Sequence, residues 1–159
     1  MRRKLVAYFS ATGVTARVAE MLADAIGADI YEIEPACPYT QEDLNWRDQH
    51  SRSSVEMQNP GSRPAIAVKR DNMDLYDVVF VGFPIWWYTA PMIIHTFLES
   101  YNWTGKTVIP FATSGGSDMG KVNEKLRSSC PSAMLAEGKV FWTGVSSSEL
   151  HNWAASQTE

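Results

Sequence analysis

Apolar positions along the chain form short unbroken runs that alternate with four-residue repeats. Residues 5–9 form an apolar run, which predicts a buried strand over residues 4–9. A helix is predicted next, because apolar side chains recur along one face and Gly27 provides a stop. The repeat consists of Val14, Val18, Leu22 and Ile26. Residues 30–33 are β-prone and predict a second strand near a sheet edge.

The middle of the chain, residues 34–74, is polar and weakly patterned. Within it, the spacing Thr40-x-x-Asp43 predicts a cap and a short helix that runs to about residue 54. The Asn-Pro-Gly sequence at residues 59–61 predicts a turn. This part of the chain carries the weakest structural signal.

The second half of the chain returns to a regular alternation of strands and helices. Apolar runs predict three more strands, at residues 77–83, 106–112 and 139–143. Pro91 suits the first turn of a helix, and Ser146-x-x-Glu149 is a capping box that opens the last helix. Alternating strands and helices predict an α/β three-layer sandwich, with a doubly wound five-stranded parallel sheet and helices on both faces.

Composition then narrows the classes of function. A chain of 159 residues fits one domain, residues 1–159. The net charge of −4 argues against the basic surface of a nucleic-acid binder. The two Cys and three His lack the spacing of a disulfide framework or a metal site, so no metal is expected. The apolar run at residues 5–9 is too short for a signal peptide or a membrane span, so we expect a cytoplasmic protein without membrane contact.

Three loops of unusual composition follow the first, third and fourth predicted strands. We refer to residues 10–15 as the first loop, residues 84–90 as the second and residues 113–120 as the third. In doubly wound folds, ligands bind beyond the carboxyl ends of the strands, at the point where the strand order reverses. The sequence therefore predicts that the three loops meet in one ligand site.

The first loop has the composition of a phosphate site. Ser10, Thr12 and Thr15 provide hydroxyls and Gly13 provides a flexible backbone, at the start of a helix whose free N–H groups and dipole favour an anion. The loop has no Lys, which excludes a Walker-type triphosphate site, and it has no GxGxxG, which disfavours a dinucleotide. These features favour a monophosphate. The alternative is that the hydroxyls only cap the helix.

The other two loops have features suited to a flat ring. Trp86, Trp87 and Tyr88 are consecutive, and neighbours in an extended segment point apart, so at least one aromatic ring should be exposed. An exposed ring beside a phosphate site suggests a platform for a heterocycle. In the third loop, adjacent glycines allow close backbone approach to a ligand, and Asp118 is expected in the N-cap region of the next helix.

Three segments, VAYFSATGVTARVAE, FVGFPIWW and IPFATSGGS, resemble the flavodoxin family, and in particular its short single-domain members. The resemblance implies the strand order 2-1-3-4-5 and FMN bound without covalent attachment. The first loop would then hold the phosphate, and the other two would line the isoalloxazine. The candidate cofactor-binding residues are Ser10, Ala11, Thr12, Gly13, Val14, Thr15, Pro84, Ile85, Trp86, Trp87, Tyr88, Thr113, Ser114, Gly115, Gly116 and Asp118.

The third loop has no aromatic residue to cover a second face of the flavin, and the chain is only mildly acidic. Both features favour an oxidoreductase that passes electrons from a nicotinamide nucleotide or protein donor to a small acceptor such as a quinone. The alternatives are a one-electron carrier between protein partners and a non-catalytic interaction module. Surplus tryptophans and the polar segment at residues 34–74 suggest a homodimer.

Overall fold

The structure is a computed structural model that describes residues 3–114 and 118–158. The first half contains β1 (Lys4–Tyr8), α1 (Val14–Ile26), β2 (Asp29–Glu32), α2 (Arg52–Gln58) and β3 (Val78–Pro84). The second half contains α3 (Met92–Glu99), β4 (Thr107–Thr113), α4 (Val122–Arg127), β5 (Met134–Leu135), β6 (Lys139–Phe141) and α5 (Ser147–Thr158). No helix within these ranges is long and apolar enough to cross a membrane.

The described strands form one parallel sheet. Its order is β2-β1-β3-β4, followed by a fifth position that β5 and β6 share. This arrangement confirms the expected order 2-1-3-4-5, with β2 at an edge. The order reverses beside β1, so the loops after β1 and β3 lie next to each other at the carboxyl edge.

Alternation along the strands sends side chains to the two faces of the sheet. In β1, Leu5 and Ala7 belong to the core that contains the apolar faces of α3 and α4, whereas Val6 belongs to the core of α1 and α5. Parallel strands that are buried on both faces need apolar residues at nearly every position. The burial explains the unbroken apolar runs in the sequence.

The fifth strand is interrupted, which the sequence did not predict. Val108 accepts a hydrogen bond from Ala136 N–H, so the backbone groups of this residue, and by alternation those of Pro110, face the fifth position. Pro110 has no N–H to donate there. The chain steps past it at Gly138, where φ is 81° and an added Cβ would lie 2.2 Å from the Pro110 carbonyl oxygen. The strand predicted at residues 139–143 is therefore only β6, and β5, which the sequence did not predict, occupies the other part of the fifth position.

The prediction of a helix starting at Thr40 is wrong. The two capping hydrogen bonds do form, with Thr40 N–H donating to Asp43 Oδ2 at 3.0 Å and Asp43 N–H donating to Thr40 Oγ1 at 3.1 Å. Only turns follow them. The helix of this region is α2, which is capped by Ser51, whose hydroxyl accepts from Ser54 N–H.

We call residues 34–67 the excursion, because the chain leaves the sheet after β2 and returns to the same place. Its two ends are hydrogen-bonded to each other, Ala36 N–H to the Ala65 carbonyl and Ala67 N–H to the Glu34 carbonyl, both at 2.8 Å. These bonds close the excursion as a compact unit above the β2 end of the sheet.

Candidate functional site

The three loops meet at the carboxyl edge of the sheet, as predicted. Ile85 N–H, in the second loop, donates to the Thr113 carbonyl at 3.1 Å. The hydroxyls of Thr15 and Thr113 are 2.7 Å apart and join the first loop to the third. Both threonines are buried, so this contact is shielded from solvent.

The first loop leaves the start of α1 open to a ligand. Gly13 is the N-cap with φ 97°, a backbone conformation that favours glycine, and no side chain caps the helix. The Ser10 hydroxyl instead accepts from Gly13 N–H at 3.1 Å. The first turn of α1 contains no acidic residue. This geometry counts against the interpretation that the hydroxyls only cap the helix, and it leaves the positive end of a 13-residue helix for an anion.

The threonine pair also keeps one donor for a ligand. Each hydroxyl carries one O–H, and a hydrogen bond between two hydroxyls uses only one of them. Whichever of Thr15 and Thr113 donates to the other, the second O–H has no acceptor within residues 3–114 and 118–158. The residues of the first loop therefore fit a phosphate monoester.

The second loop turns tightly at two aromatic residues. Trp86 and Thr89 exchange backbone hydrogen bonds of 2.9 and 3.0 Å, which makes Trp87 and Tyr88 the central residues of a two-residue hairpin. Both have positive φ, 49° and 64°, as a type I′ turn requires. Bulky residues rarely adopt this conformation because Cβ approaches the carbonyl oxygen. The turn is therefore strained.

Of the three consecutive aromatic residues, one packs inward and two are exposed. Trp86 contacts Phe9 and Tyr39 edge to face, with both ring centroids 5.5 Å away. Trp87 is 43% exposed and Tyr88 is 79% exposed. The expectation that at least one ring is exposed at this edge is confirmed.

In the third loop, Thr113 is buried and Ser114 is half-buried. Gly115 and Gly116 lie outside the described residues. Asp118 is exposed. The expectation that Asp118 lies in the N-cap region is wrong, because the N-cap of α4 is Lys121, three residues further on, and no side chain caps the helix.

The excursion is attached to the second loop through Tyr39. The Tyr39 hydroxyl donates to Glu56, and the Arg52 guanidinium lies 3.8 Å from the centre of the tyrosine ring. Burial, together with the hydrogen bond to Glu56, raises the pKa of Tyr39. The phenol therefore stays protonated and acts as a structural donor, and Trp86 packs against its ring.

A groove of about 560 Å³ lies between the excursion and the second loop. One wall consists of Leu44, Trp46 and Ser53, and the other consists of residues 85–88. Trp46 is 66% exposed, so core packing does not account for this tryptophan. The Ser53 side chain is 1% exposed, and its hydroxyl has no hydrogen-bond partner among the described residues.

Little in the sequence indicated that the excursion forms one wall of this groove. Leu44, Trp46 and Ser53 lie in a segment without periodicity, and only an unassigned tryptophan marked it. A larger cavity, about 680 Å³, lies at the opposite edge of the sheet, near the amino ends of β3 and β4. Ligands of this fold class bind at the carboxyl edge, so we do not assign the larger cavity. Within residues 3–114 and 118–158, no cluster of side chains could hold a metal ion.

Comparison with known proteins identifies the family. The sequence profile of the flavodoxin family matches residues 3–157. A candidate flavoprotein from Bacteroides eggerthii is 49% identical, with 98% of each chain covered and a TM-score of 0.93. Another, from Bacteroides uniformis, is 47% identical over 97% of this chain and 98% of that one, with a TM-score of 0.92.

A flavoprotein from Lactobacillus acidophilus, solved in complex with FMN, shares the fold. It is 21% identical over 97% of this chain and 99% of that one, with a TM-score of 0.70. None of the curated proteins compared with the chain matches it.

Proposed function

This chain belongs to the flavodoxin family, and we propose that it binds FMN and passes electrons from a reduced donor to a small acceptor such as a quinone. The donor is a nicotinamide nucleotide or a redox protein. The reaction class follows from the cofactor, because a flavin accepts and releases both single electrons and hydride.

FMN as the cofactor is supported by the family and by the first loop. The open N-terminus of α1, the Ser10–Gly13 contact and the donor left over at Thr15 and Thr113 suit a phosphate monoester. The Lactobacillus protein, which has the same fold, is a complex with FMN. FAD would add a second phosphate and an adenosine, for which the first loop provides no dinucleotide motif.

In this assignment the residues of the three loops bind and orient the cofactor. The first loop holds the phosphate through N–H and O–H donors, and the second loop places aromatic side chains beside the ring. The third loop contributes backbone near Thr113 and Ser114. None of the chain's own residues needs to act as an acid or base, because the cofactor supplies the electron chemistry.

The groove beside the second loop is the observation that favours a small acceptor. It is open to solvent and walled by exposed aromatic side chains, and its volume of about 560 Å³ falls in the range of small-molecule sites. A protein that exchanged electrons only with large partners would not need such a groove.

The exposed aromatic surface favours a second candidate function, a one-electron carrier. Trp142 follows β6 at the same edge of the sheet and is 57% exposed, in addition to Trp87 and Tyr88. Exposed aromatic residues are enriched where proteins dock. A redox partner protein could contact this surface.

Two experiments test the proposal. FMN titrated into FMN-free protein should bind at micromolar concentrations or below, measured by quenching of flavin fluorescence, and FAD should bind more weakly. The FMN-loaded protein is then mixed with NADH or NADPH in a stopped-flow instrument, followed by a quinone. Rapid bleaching by a nucleotide and reoxidation by the quinone support the oxidoreductase. Failure of both nucleotides, together with reduction in two resolved one-electron steps, favours the carrier, and absence of FMN binding favours an interaction module.

A further inference from the structure

The groove between the excursion and the second loop is lined by side chains that suit a flat, uncharged ligand. None of the residues that line it is charged, and Trp46, Trp87 and Tyr88 provide aromatic rings. Aromatic side chains bind other rings by stacking or by edge contacts. A ligand with phosphates or carboxylates would lose water there without gaining a cation, which is unfavourable.

One of the residues that line the groove, Ser53, has a buried hydroxyl for which the described part of the chain provides no hydrogen-bond partner. Its neighbours do not satisfy it, because the hydroxyls of Ser51 and Ser54 bond to each other at 3.0 Å. Buried hydroxyls in folded proteins almost always have a partner. A ligand oxygen in the groove would provide it.

The position of Ser53 is fixed by the excursion. Its N–H donates to the Asp43 carbonyl at 3.0 Å, and it lies in the first turn of α2. The opposite wall is held in a strained turn, with Trp87 and Tyr88 at positive φ. Such strain is found at functional sites, where the surrounding structure maintains it. Both walls are therefore set before a ligand arrives.

We propose that this groove is the acceptor site and that it binds a quinone, with Ser53 Oγ donating a hydrogen bond to one quinone carbonyl and the aromatic side chains contacting the ring. A quinone is flat and uncharged and carries a carbonyl acceptor, so it matches each feature of the groove. The inference rests on the proposed function. In that reaction the quinone gains two electrons and two protons and becomes the hydroquinone; reduced FMN is oxidised as it gives up a hydride, and solvent supplies the second proton.

The test measures binding rather than turnover. Menadione, a naphthoquinone, is titrated into oxidised FMN-loaded protein by calorimetry, and 2-methylnaphthalene, which has the same rings without carbonyls, is the matched ligand. Oxidised FMN has no electrons to transfer to the quinone, so the titration measures the affinity for menadione without any reaction. We expect menadione to bind with a stoichiometry of one and more tightly than 2-methylnaphthalene.

Variants separate the hydrogen bond from the ring contacts. Ser53→Ala should weaken menadione binding about three- to tenfold and leave 2-methylnaphthalene binding unchanged. Because this variant removes a buried hydroxyl that has no partner in the part of the chain that the structure describes, it should not lower the urea midpoint of unfolding. Ser54→Ala is the matched control: it removes the neighbouring hydroxyl, which bonds to Ser51, and should leave menadione affinity unchanged. Trp46→Ala should weaken both ligands, whereas Met134→Ala, at an exposed apolar residue outside the groove, should weaken neither.

Equal menadione affinity in the wild type and Ser53→Ala would overturn the acceptor site. Competition between menadione and FMN for FMN-free protein would also overturn it, because the groove would then be the binding site of the flavin itself. The proposed function fails by a different result, the absence of bound FMN after reconstitution, so the two failures are distinguishable.

Discussion

The hydroxyls of Thr15 and Thr113, 98 residues apart in the chain, lie 2.7 Å from each other in the interior. One belongs to the first turn of α1 and the other ends β4. Their contact joins the first loop, which suits a phosphate, to the third loop, which follows β4. We therefore expect the stability of the fold and the binding of FMN to depend on the same pair of groups.

This pair predicts a non-additive double-mutant cycle. Thr15→Val leaves the Thr113 hydroxyl buried without a partner and should lower the free energy of unfolding by about 1–3 kcal/mol. Thr113→Val should do the same, whereas the double variant should recover most of that loss, because neither hydroxyl remains. FMN affinity should stay reduced in all three. Urea unfolding and flavin titration measure the two effects, and additive losses of stability would show that the two hydroxyls act independently.

Thr12 should affect the ligand without affecting the fold. It is exposed in the first loop, so Thr12→Ala removes no buried contact. If the hydroxyl bonds a phosphate, the variant should weaken FMN binding by roughly 1–3 kcal/mol and leave the urea midpoint unchanged. Thr143→Ala, at an exposed threonine outside the three loops, is the control and should change neither quantity. Equal FMN affinity in both variants would remove Thr12 from the site.

The strained turn predicts that some substitutions stabilise the protein. Tyr88 has φ 64° and is largely exposed, so its side chain buries little on folding. Tyr88→Asn should raise the free energy of unfolding by about 0.5–1 kcal/mol, because asparagine tolerates the left-handed conformation. Tyr88→Val should lower it, since β-branched side chains are disfavoured there. Urea unfolding of the two variants should therefore give shifts of opposite sign, and shifts of the same sign would argue against strain at this position.

Glu99 should contribute stability that is lost in acid. The hydrogen bonds from Arg63, at 2.9 and 3.0 Å, and then the one from Ser129 lower the pKa of Glu99 below its ordinary value of 4.5. Because the folded-state pKa is the lower one, the stabilisation is complete above pH 4.5 and is lost as pH falls through the folded-state value.

Glu99→Gln should consequently be destabilising at pH 7, and the difference from the wild type should shrink as the pH falls below 4.5. The side chains of this pair are partly exposed, so added salt should reduce the effect. The free energy of unfolding in urea, measured across this pH range, checks the prediction. Glu124→Gln, at an exposed position of α4, is the control. A difference that does not change with pH would contradict the role given to the Arg63–Glu99 contact.

The sequence alone determined the regular elements because their signals are local. The repeat in α1, its stop at Gly27 and the apolar run of β3 depend on neighbours within a few residues, and each was found within one or two residues of its predicted bounds. The position of the three loops also followed, since parallel strands carry their carboxyl ends to the same edge. The flavodoxin resemblance supplied the strand order, which periodicity cannot provide.

Only the tertiary structure decided where polar segments lie and which distant residues meet. The Thr40–Asp43 cap forms, but no helix follows it. The helix of this segment is α2, which begins at Arg52, and the Arg52 guanidinium donates to the Cys37 carbonyl and stacks on the Tyr39 ring. The fifth strand breaks because Pro110, on the adjacent strand, has no N–H to offer it. The groove wall at Ser53 has no periodic signal, since it depends on packing between the excursion and a turn more than thirty residues away. Pairings of this kind are fixed by shape and burial in three dimensions, and a linear pattern does not encode them.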